Sequence, residues 1–241
     1  MNGILEIINN SIKKENLILK KFEEVYHNRS SEVFCYFNQN SFNQIYSKPE
    51  LLKAFKEFII YQEGIGMYLL LKLFNQREFD RIDSTKILDC FIKYLITKGE
   101  RIIFIGGDFE PAKFISDCNY KDLIVEIYLN GFFDLNNLDN LMHKLKTCKS
   151  RYIILGMGTP KQEIVAHKLK RELKEKTFIC VGNFMNFFLG YQKRAPKFLR
   201  KLQLEWLFRF ILEPKRLFKR YVLGIPLFFF RITKLKLQTI K

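Results

Sequence analysis

RYIILGMGTPKQE, residues 151–163, reads as one strand, one turn and the start of one helix. Tyr152 to Leu155 are apolar, with β-branched Ile153 and Ile154 at their centre, and the strand signal extends over 151–158. Gly156 and Gly158 free the backbone to turn. Thr159 suits the N-cap of a helix, Pro160 its first position and Gln162 the closing residue of a capping box, so the spacing predicts a helix over 160–174. Two readings of the turn stand side by side. It is a well-made helix start, and it is also a place where free N–H groups, a positive helix end and Lys161 converge on an anion. The turn is neither a Walker A loop nor GxGxxG.

The same alternation extends in both directions along the chain. Strands are predicted at 33–38, 101–107, 124–131, 151–158 and 177–184. Helices are predicted near 48–60, 64–75, 84–98, 109–118, 136–147 and 160–174. Short apolar runs separated by longer amphipathic stretches give an α/β chain with a mostly parallel sheet flanked by helices. Three of the strands end in glycine: Gly106 and Gly107, Gly156 and Gly158, and Gly182. Ligands of open α/β sheets bind outside the carboxyl ends of strands, so these glycines mark a candidate ligand-binding edge.

The 241 residues carry a net charge of +16, which calls for an anionic partner: nucleic acid, a phospholipid surface or a phosphorylated substrate. Residues 191–241 hold 14 Lys or Arg against Glu205 and Glu213, so +12 of that charge belongs to the tail. This predicts a nearly balanced core over 1–190 and a basic amphipathic appendage over 191–241. In the tail, Leu199, Leu202, Trp206 and Phe210 follow helical spacing on one face, with Lys197, Lys201, Glu205 and Arg209 on another. Pro214 should interrupt that helix. Aromatic residues among the basic ones suit a bilayer interface, while the alternative is a core helix with a solvated face. The five cysteines, at 35, 90, 118, 148 and 180, are scattered and form no metal-binding spacing, as expected in a reducing cytoplasm. The N-terminus lacks a basic start followed by an apolar block, so export by a signal peptide is not expected. The most lipophilic run, Tyr221 to Ile232, is shorter than the roughly 20 apolar residues of a spanning helix.

Two smaller motifs carry candidate chemistry. In YQEGIGM (61–67), Glu63 precedes a glycine at a loop-to-helix junction, where it either complements the helix end or serves as a general base for a hydroxyl. In FDRIDS (79–84), Arg81 stands between two aspartates; the cluster is a solvated charge group or a source of one diphosphate ligand. No DxD motif or histidine cluster indicates a divalent metal, so a diphosphate leaving group would be held by arginines and helix termini.

Taken together, GMGTPKQE, GNFMNFFLGYQKRAP and LEWLFRFILEPKRLFKRY resemble the WecG/TagA/CpsF family of bacterial glycosyltransferases, glycosyltransferase family 26, in order and spacing. The resemblance runs from about Phe34 to Phe230. It implies a Rossmann-like α/β fold with a C-terminal appendage, and metal-independent transfer of an N-acetylmannosamine-type or related acid sugar. The donor implied is a UDP-sugar, a substrate and not a cofactor; the acceptor is a sugar linked to undecaprenyl diphosphate. The site implied lies on the inner face of the cell membrane, with the chain peripheral there and no nucleic acid as partner. Independently of the resemblance, apolar surface on the tail would support homo-oligomers. Carried over by residue, Glu63 takes the place of the family's aspartate general base. Asn38 becomes a donor or acceptor ligand and Arg81 a diphosphate ligand, and Thr159, Lys161 and Gln162 become nucleotide or sugar contacts; the strand-end glycines Gly106, Gly107, Gly156 and Gly158 join them as nucleotide-binding candidates by their place at the sheet edge. Arg194, Arg209, Arg216 and Arg220 match family basic positions that touch diphosphate or membrane. Tyr36 stands where the family has a threonine, and Asn186 where it has an acidic residue. The competing readings are a non-catalytic basic module for anionic lipid or nucleic acid, and a Rossmann dehydrogenase, which the missing GxGxxG disfavours. A saturable, UDP-selective effect separates the first reading from both.

Overall fold

A six-stranded sheet forms the middle layer of the computed structural model, which describes every residue except 1, 77, 118, 119, 121, 193, 203, 240 and 241. Cys118 therefore lies outside the described residues. The chain enters through α1 (Asn2–Asn10), α2 (Glu15–His27), β1 (Val33–Phe37), α3 (Gln39–Ser47), α4 (Leu51–Lys56) and β2 (Ile59–Gln62). It continues through α5 (Gly64–Leu73), α6 (Ser84–Thr97), β3 (Arg101–Ile105), α7 (Pro111–Ser116), β4 (Ile124–Leu129) and α8 (Asp139–Thr147). Then follow β5 (Tyr152–Leu155), α9 (Lys161–Glu172), β6 (Thr177–Cys180) and α10 (Phe184–Phe188). The tail consists of α11 (Lys197–Lys201), α12 (Glu205–Leu212), α13 (Pro214–Phe218), a π-helical turn at Lys219–Leu223, and α14 (Gly224–Thr239).

The strand order is β2-β1-β6-β5-β3-β4, and every neighbouring pair is parallel. Parallel strands need crossovers, and the crossover helices cover both faces, which is why β1, β5 and β6 are apolar and buried at nearly every residue. Alternation along β1 sends Val33, Cys35 and Phe37 into one core layer, with Phe55, Leu70 and Leu169. Phe34 and Tyr36 enter the other, with Phe22, Phe91 and Leu95. The exposed edge of β2 is covered by Ile12, whose N–H donates to the Ile60 carbonyl at 2.7 Å and whose carbonyl accepts from Gln62 at 3.2 Å.

Three expectations are corrected. The helix predicted over 48–60 ends at Lys56, and Ile59–Gln62 is a strand. The single amphipathic helix predicted from Lys197 to Phe210 is broken between Lys201 and Glu205, and Pro214 stands at the first position of a new helix. Helix α9 begins at Lys161, and its cap position is Pro160, so Thr159 does not serve as the cap. Helices α1, α2 and α3 went unpredicted.

The last helix returns to the body. The Asn43 amide of α3 donates to the Gly224 carbonyl at 2.7 Å, and the Arg231 guanidinium donates to the Asn43 carbonyl at 2.9 Å and stacks 4.4 Å from the Tyr46 ring. Phe228, Ile232 and Leu235 enter the first core layer. Among the described residues no helix is long and apolar enough to cross a membrane.

Candidate active site

Strands β1 and β2 end side by side, and their next residues are Asn38 and Glu63. The Glu63 N–H still donates to the Phe37 carbonyl at 2.9 Å, so the last rung of the ladder fixes where the carboxylate starts. Gly64 then takes a φ of +81°, a left-handed turn that an L side chain resists, and α5 departs. Asn38 is doubly committed. Its Oδ1 accepts from the backbone N–H groups of Asn40 at 3.0 Å and Ser41 at 3.1 Å, capping α3, which leaves its NH₂ to donate to Glu63 Oε2 at 2.7 Å. The Ser84 hydroxyl donates to Glu63 Oε1 from the first residue of α6. Both carboxylate oxygens are thus aimed by donors, and each keeps lone-pair capacity for a hydroxyl proton.

Glu63 stands in a cleft of about 300 Å³ between α5, α12, the π turn and α14. Arg81, Arg209 and Arg220 line it, and Asn38, Glu63, Arg209 and Arg220 also line a smaller polar hollow of about 40 Å³, with Tyr36, Ser84 and Asn183. The Arg209 guanidinium lies 5.1 Å from the Phe187 ring centre and that of Arg220 5.7 Å from the Tyr221 ring centre. Their Nε–H groups are buried and meet no acceptor among the described residues, while the side chains line the cleft as its positive charge.

The four tail arginines singled out from the sequence, Arg194, Arg209, Arg216 and Arg220, fall into distinct settings. Arg209 and Arg220 face the cleft. Arg194 is tied at 2.7 Å to Asp83, whose other oxygen caps α6. Arg216 pairs with Glu213 at the surface. Arg81, on the rim, donates to the Arg200 carbonyl at 3.3 Å, joining the loop before α6 to the tail.

The glycine edge and the PKQE turn lie elsewhere. Gly106, Gly107, Gly156, Gly158, Thr159, Lys161 and Gln162 line neither the cleft nor the polar hollow. A Cβ on Gly106 would stand 2.5 Å from the Gly156 carbonyl carbon, so glycine there lets backbone pack on backbone; one on Gly156 would stand 2.5 Å from the Met185 sulfur, so there it makes room for a side chain. Gln162 is fully buried. Its Oε1 accepts from the Gly182 N–H at 2.9 Å and its Nε2 donates to the Tyr36 hydroxyl at 3.3 Å, tying the ends of β6 and β1 together beneath the polar hollow. Thr159 donates to Glu163, and Lys161 reaches the Phe133 carbonyl and ring.

Ser84, Glu205 and Tyr221 are cleft or hollow residues that sequence reasoning passed over. Ser84 follows the aspartate that caps α6, so its place at a helix start was readable, while its bond to Glu63 crosses 21 residues. Glu205 lies in the cleft near Glu63; burial pushes its carboxyl up, Asp83 adds to that, and Arg194 and Arg209 pull it down. Burial likewise pushes the Tyr36 phenol well above its ordinary range, so it stays protonated beside Glu63 and Arg220. Among the described residues no three His, Cys, Asp or Glu side chains converge as a metal-ion site.

The profile of the glycosyl transferase WecG/TagA/CpsF family matches residues 4–241. Relatives from Staphylococcus aureus strains NCTC 8325, COL and MSSA476 bear the name N-acetylglucosaminyldiphosphoundecaprenol N-acetyl-beta-D-mannosaminyltransferase. Each is 26% identical over 223 residues, covering 85% of this chain and 85% of the relative.

Proposed function

The chain belongs to the WecG/TagA/CpsF family of glycosyltransferases, and on that premise we propose that it moves an N-acetylmannosamine-type sugar from a UDP donor to a sugar linked to undecaprenyl diphosphate. The observation that carries this reading is Glu63, held by Asn38 and Ser84 in a cleft lined by Arg81, Arg209 and Arg220. Glu63 takes the proton of an acceptor hydroxyl while that oxygen bonds to the anomeric carbon of the donor from the face opposite UDP. The bond from that carbon to the UDP oxygen breaks with its electron pair, and the configuration inverts. Negative charge on the departing diphosphate is met by Arg209 and Arg220, with Arg81 at the rim, in place of a divalent cation. The acceptor is anchored in lipid, and we place the reaction at the inner face of the cell membrane with the chain bound peripherally.

The test uses the purified chain, UDP-N-acetylmannosamine and a polyprenyl-diphosphate N-acetylglucosamine, with EDTA present. Product of inverted configuration is expected. Glu63→Gln is expected to lower kcat by about a hundred- to ten-thousand-fold, the worth of a positioned general base, while UDP still raises its melting temperature. Near-normal turnover by folded Glu63→Gln removes the base assignment, and loss of wild-type transfer in EDTA removes the metal-free one.

A further inference from the structure

Polar groups around the cleft divide into engaged and free ones. Asn38 and Ser84 hold Glu63, and Arg81 donates to the tail backbone. Of the nearby carboxyls, Asp83 caps α6 and pairs with Arg194, and Glu213 accepts from Gln192 and Arg216. Glu205 and Trp206, the first two residues of α12, line the same cleft. Among the described residues the Glu205 carboxyl has no hydrogen bond and no ion pair, and the Trp206 indole N–H has no acceptor. A carboxylate at the first position of α12 complements the positive helix end, but that role asks for no place inside a cleft. Glu205 is half-buried there, and both Glu63 and Asp83 act on it with like charge. Burial and repulsion disfavour its ionised form unless a hydrogen-bond donor comes to it. An ionised diphosphate has acceptors only, whereas a sugar ring brings hydroxyl donors.

We infer that Glu205 and Trp206 form the corner that reads the acceptor's sugar ring, the carboxyl accepting from a hydroxyl that does not react and the indole lying against the ring; this rests on the reading above. Buried Tyr221 meets the indole edge-to-face at 5.8 Å and 76°, which sets the indole in the cleft wall. Among the described residues no ring or cation lies flat on it, because the neighbouring Arg209 and Arg220 lie over Phe187 and Tyr221 instead. An aromatic face packs on the C–H face of a pyranose, and a carboxyl beside it reaches the hydroxyl groups at the ring edge. Glu63 fixes where the reacting hydroxyl lies, and Glu205 shares its cleft and feels its charge. The ring within reach of both carboxyls is therefore the one that carries that hydroxyl. Gln39, at the start of α3, lines the cleft as well, and its side-chain amide is free to bond the same ring.

The probes are farnesyl-diphosphate N-acetylglucosamine and its analogues that lack one ring hydroxyl each, with binding read by calorimetry on the full chain. Wild type is expected to bind one analogue that still undergoes transfer about ten-fold or more weakly than the parent, the worth of a hydrogen bond to a charged group. Glu205→Ala should bind the parent as weakly as wild type binds that analogue, and should no longer tell the two apart. Trp206→Ala should weaken parent and analogues alike, by about three- to ten-fold, with Trp206→Phe in between. UDP should bind Glu205→Ala at least as well as wild type, since the arginines stay and a negative charge leaves. Circular dichroism and melting temperature establish that the variants are folded. The assignment is overturned if wild type treats all the transferable analogues as it treats the parent, if folded Glu205→Ala keeps the wild-type ratio, or if Glu205→Ala loses UDP together with the acceptor. It is equally overturned if the ratio collapses only for UDP-N-acetylmannosamine analogues lacking a hydroxyl, which would put the donor's ring there. Hydroxyl-dependent binding through Glu205 without transfer by wild type would keep the sugar corner and remove the proposed reaction; transfer without that dependence would do the reverse.

Discussion

Glu163 brings a carboxyl into the interior at the start of α9, where it is fully buried. Its Oε1 accepts from Thr159 and from Gln162, both at 2.9 Å, and its Oε2 meets no partner. Burial pushes this carboxyl above its ordinary value of 4.5. The folded chain therefore keeps a proton that the unfolded chain has released, so the group's stabilising contribution is full below pH 4.5 and is lost as pH rises through the raised value. Glu163→Gln keeps a carbonyl oxygen for Thr159 and Gln162 and abolishes the titration. Its melting temperature should lie close to wild type at pH 5 and about 2–4 °C above it at pH 8 for each kcal/mol of penalty removed. An offset of the same size at both pH values would mean that Glu163 does not titrate in that range. The same turn marks how far a local window can be read. Gly-Thr-Pro-Lys-Gln was legible as a helix start, and a helix does start there. The inward direction of Gln162 and Glu163 was not, because their partners are Gly182, Tyr36 and Cys35, more than ten residues away in either direction.

At the scale of elements, the junctions that hold the site are helix starts, and α3 shows what one cap does for two purposes. Asn38 satisfies the first N–H groups of α3 with its oxygen and orients Glu63 with its nitrogen. The two roles separate by substitution. Asn38→Ser retains an acceptor suited to capping and loses the donor, so stability should stay near wild type while transfer falls by about ten-fold, the worth of a hydrogen bond to a charged group. Asn38→Ala loses both; removal of the cap costs about 1 kcal/mol, or about 2–4 °C in melting temperature for a chain of this size. Melting curves and initial rates on both variants decide the matter: equal rates for Ser and wild type would leave Asn38 with the cap alone. Strands β1, β3, β4, β5 and β6 and helices α5 to α9 were legible because their apolar spacing is sustained, whereas α2, 13 residues long, was missed. β2 was not, since its four residues follow α4 after only two others and extend the same apolar run. What makes Ile59–Gln62 a strand is non-local: β1 on one side and Ile12 on the other accept and donate its backbone hydrogen bonds.

Over the whole molecule, charge and apolar exposure fall on the same segment. Residues 191–241 carry +12 of the net +16, and Phe198, Leu202, Ile211, Leu212, Phe218, Leu223 and Phe230 are exposed along them. Either property alone is ordinary, since basic faces are solvated and single apolar residues lie on every surface. Their coincidence fits a bilayer interface, where cationic groups gain roughly 1 kcal/mol each near anionic lipid and apolar side chains enter the headgroup boundary. The two contributions respond differently to salt, because counterions screen only the first. Sedimentation with vesicles should therefore show binding to bilayers rich in phosphatidylglycerol, about ten-fold or more weaker binding to pure phosphatidylcholine, and partial loss of the former as salt rises from about 0.05 to about 0.5 M. Leu223→Ser with Phe230→Ser should weaken binding at every salt concentration and leave the salt slope unchanged. Complete loss of wild-type binding at high salt, with no effect of the two serines, would reduce the interaction to charge alone and leave the exposed apolar residues of the tail without a part in it.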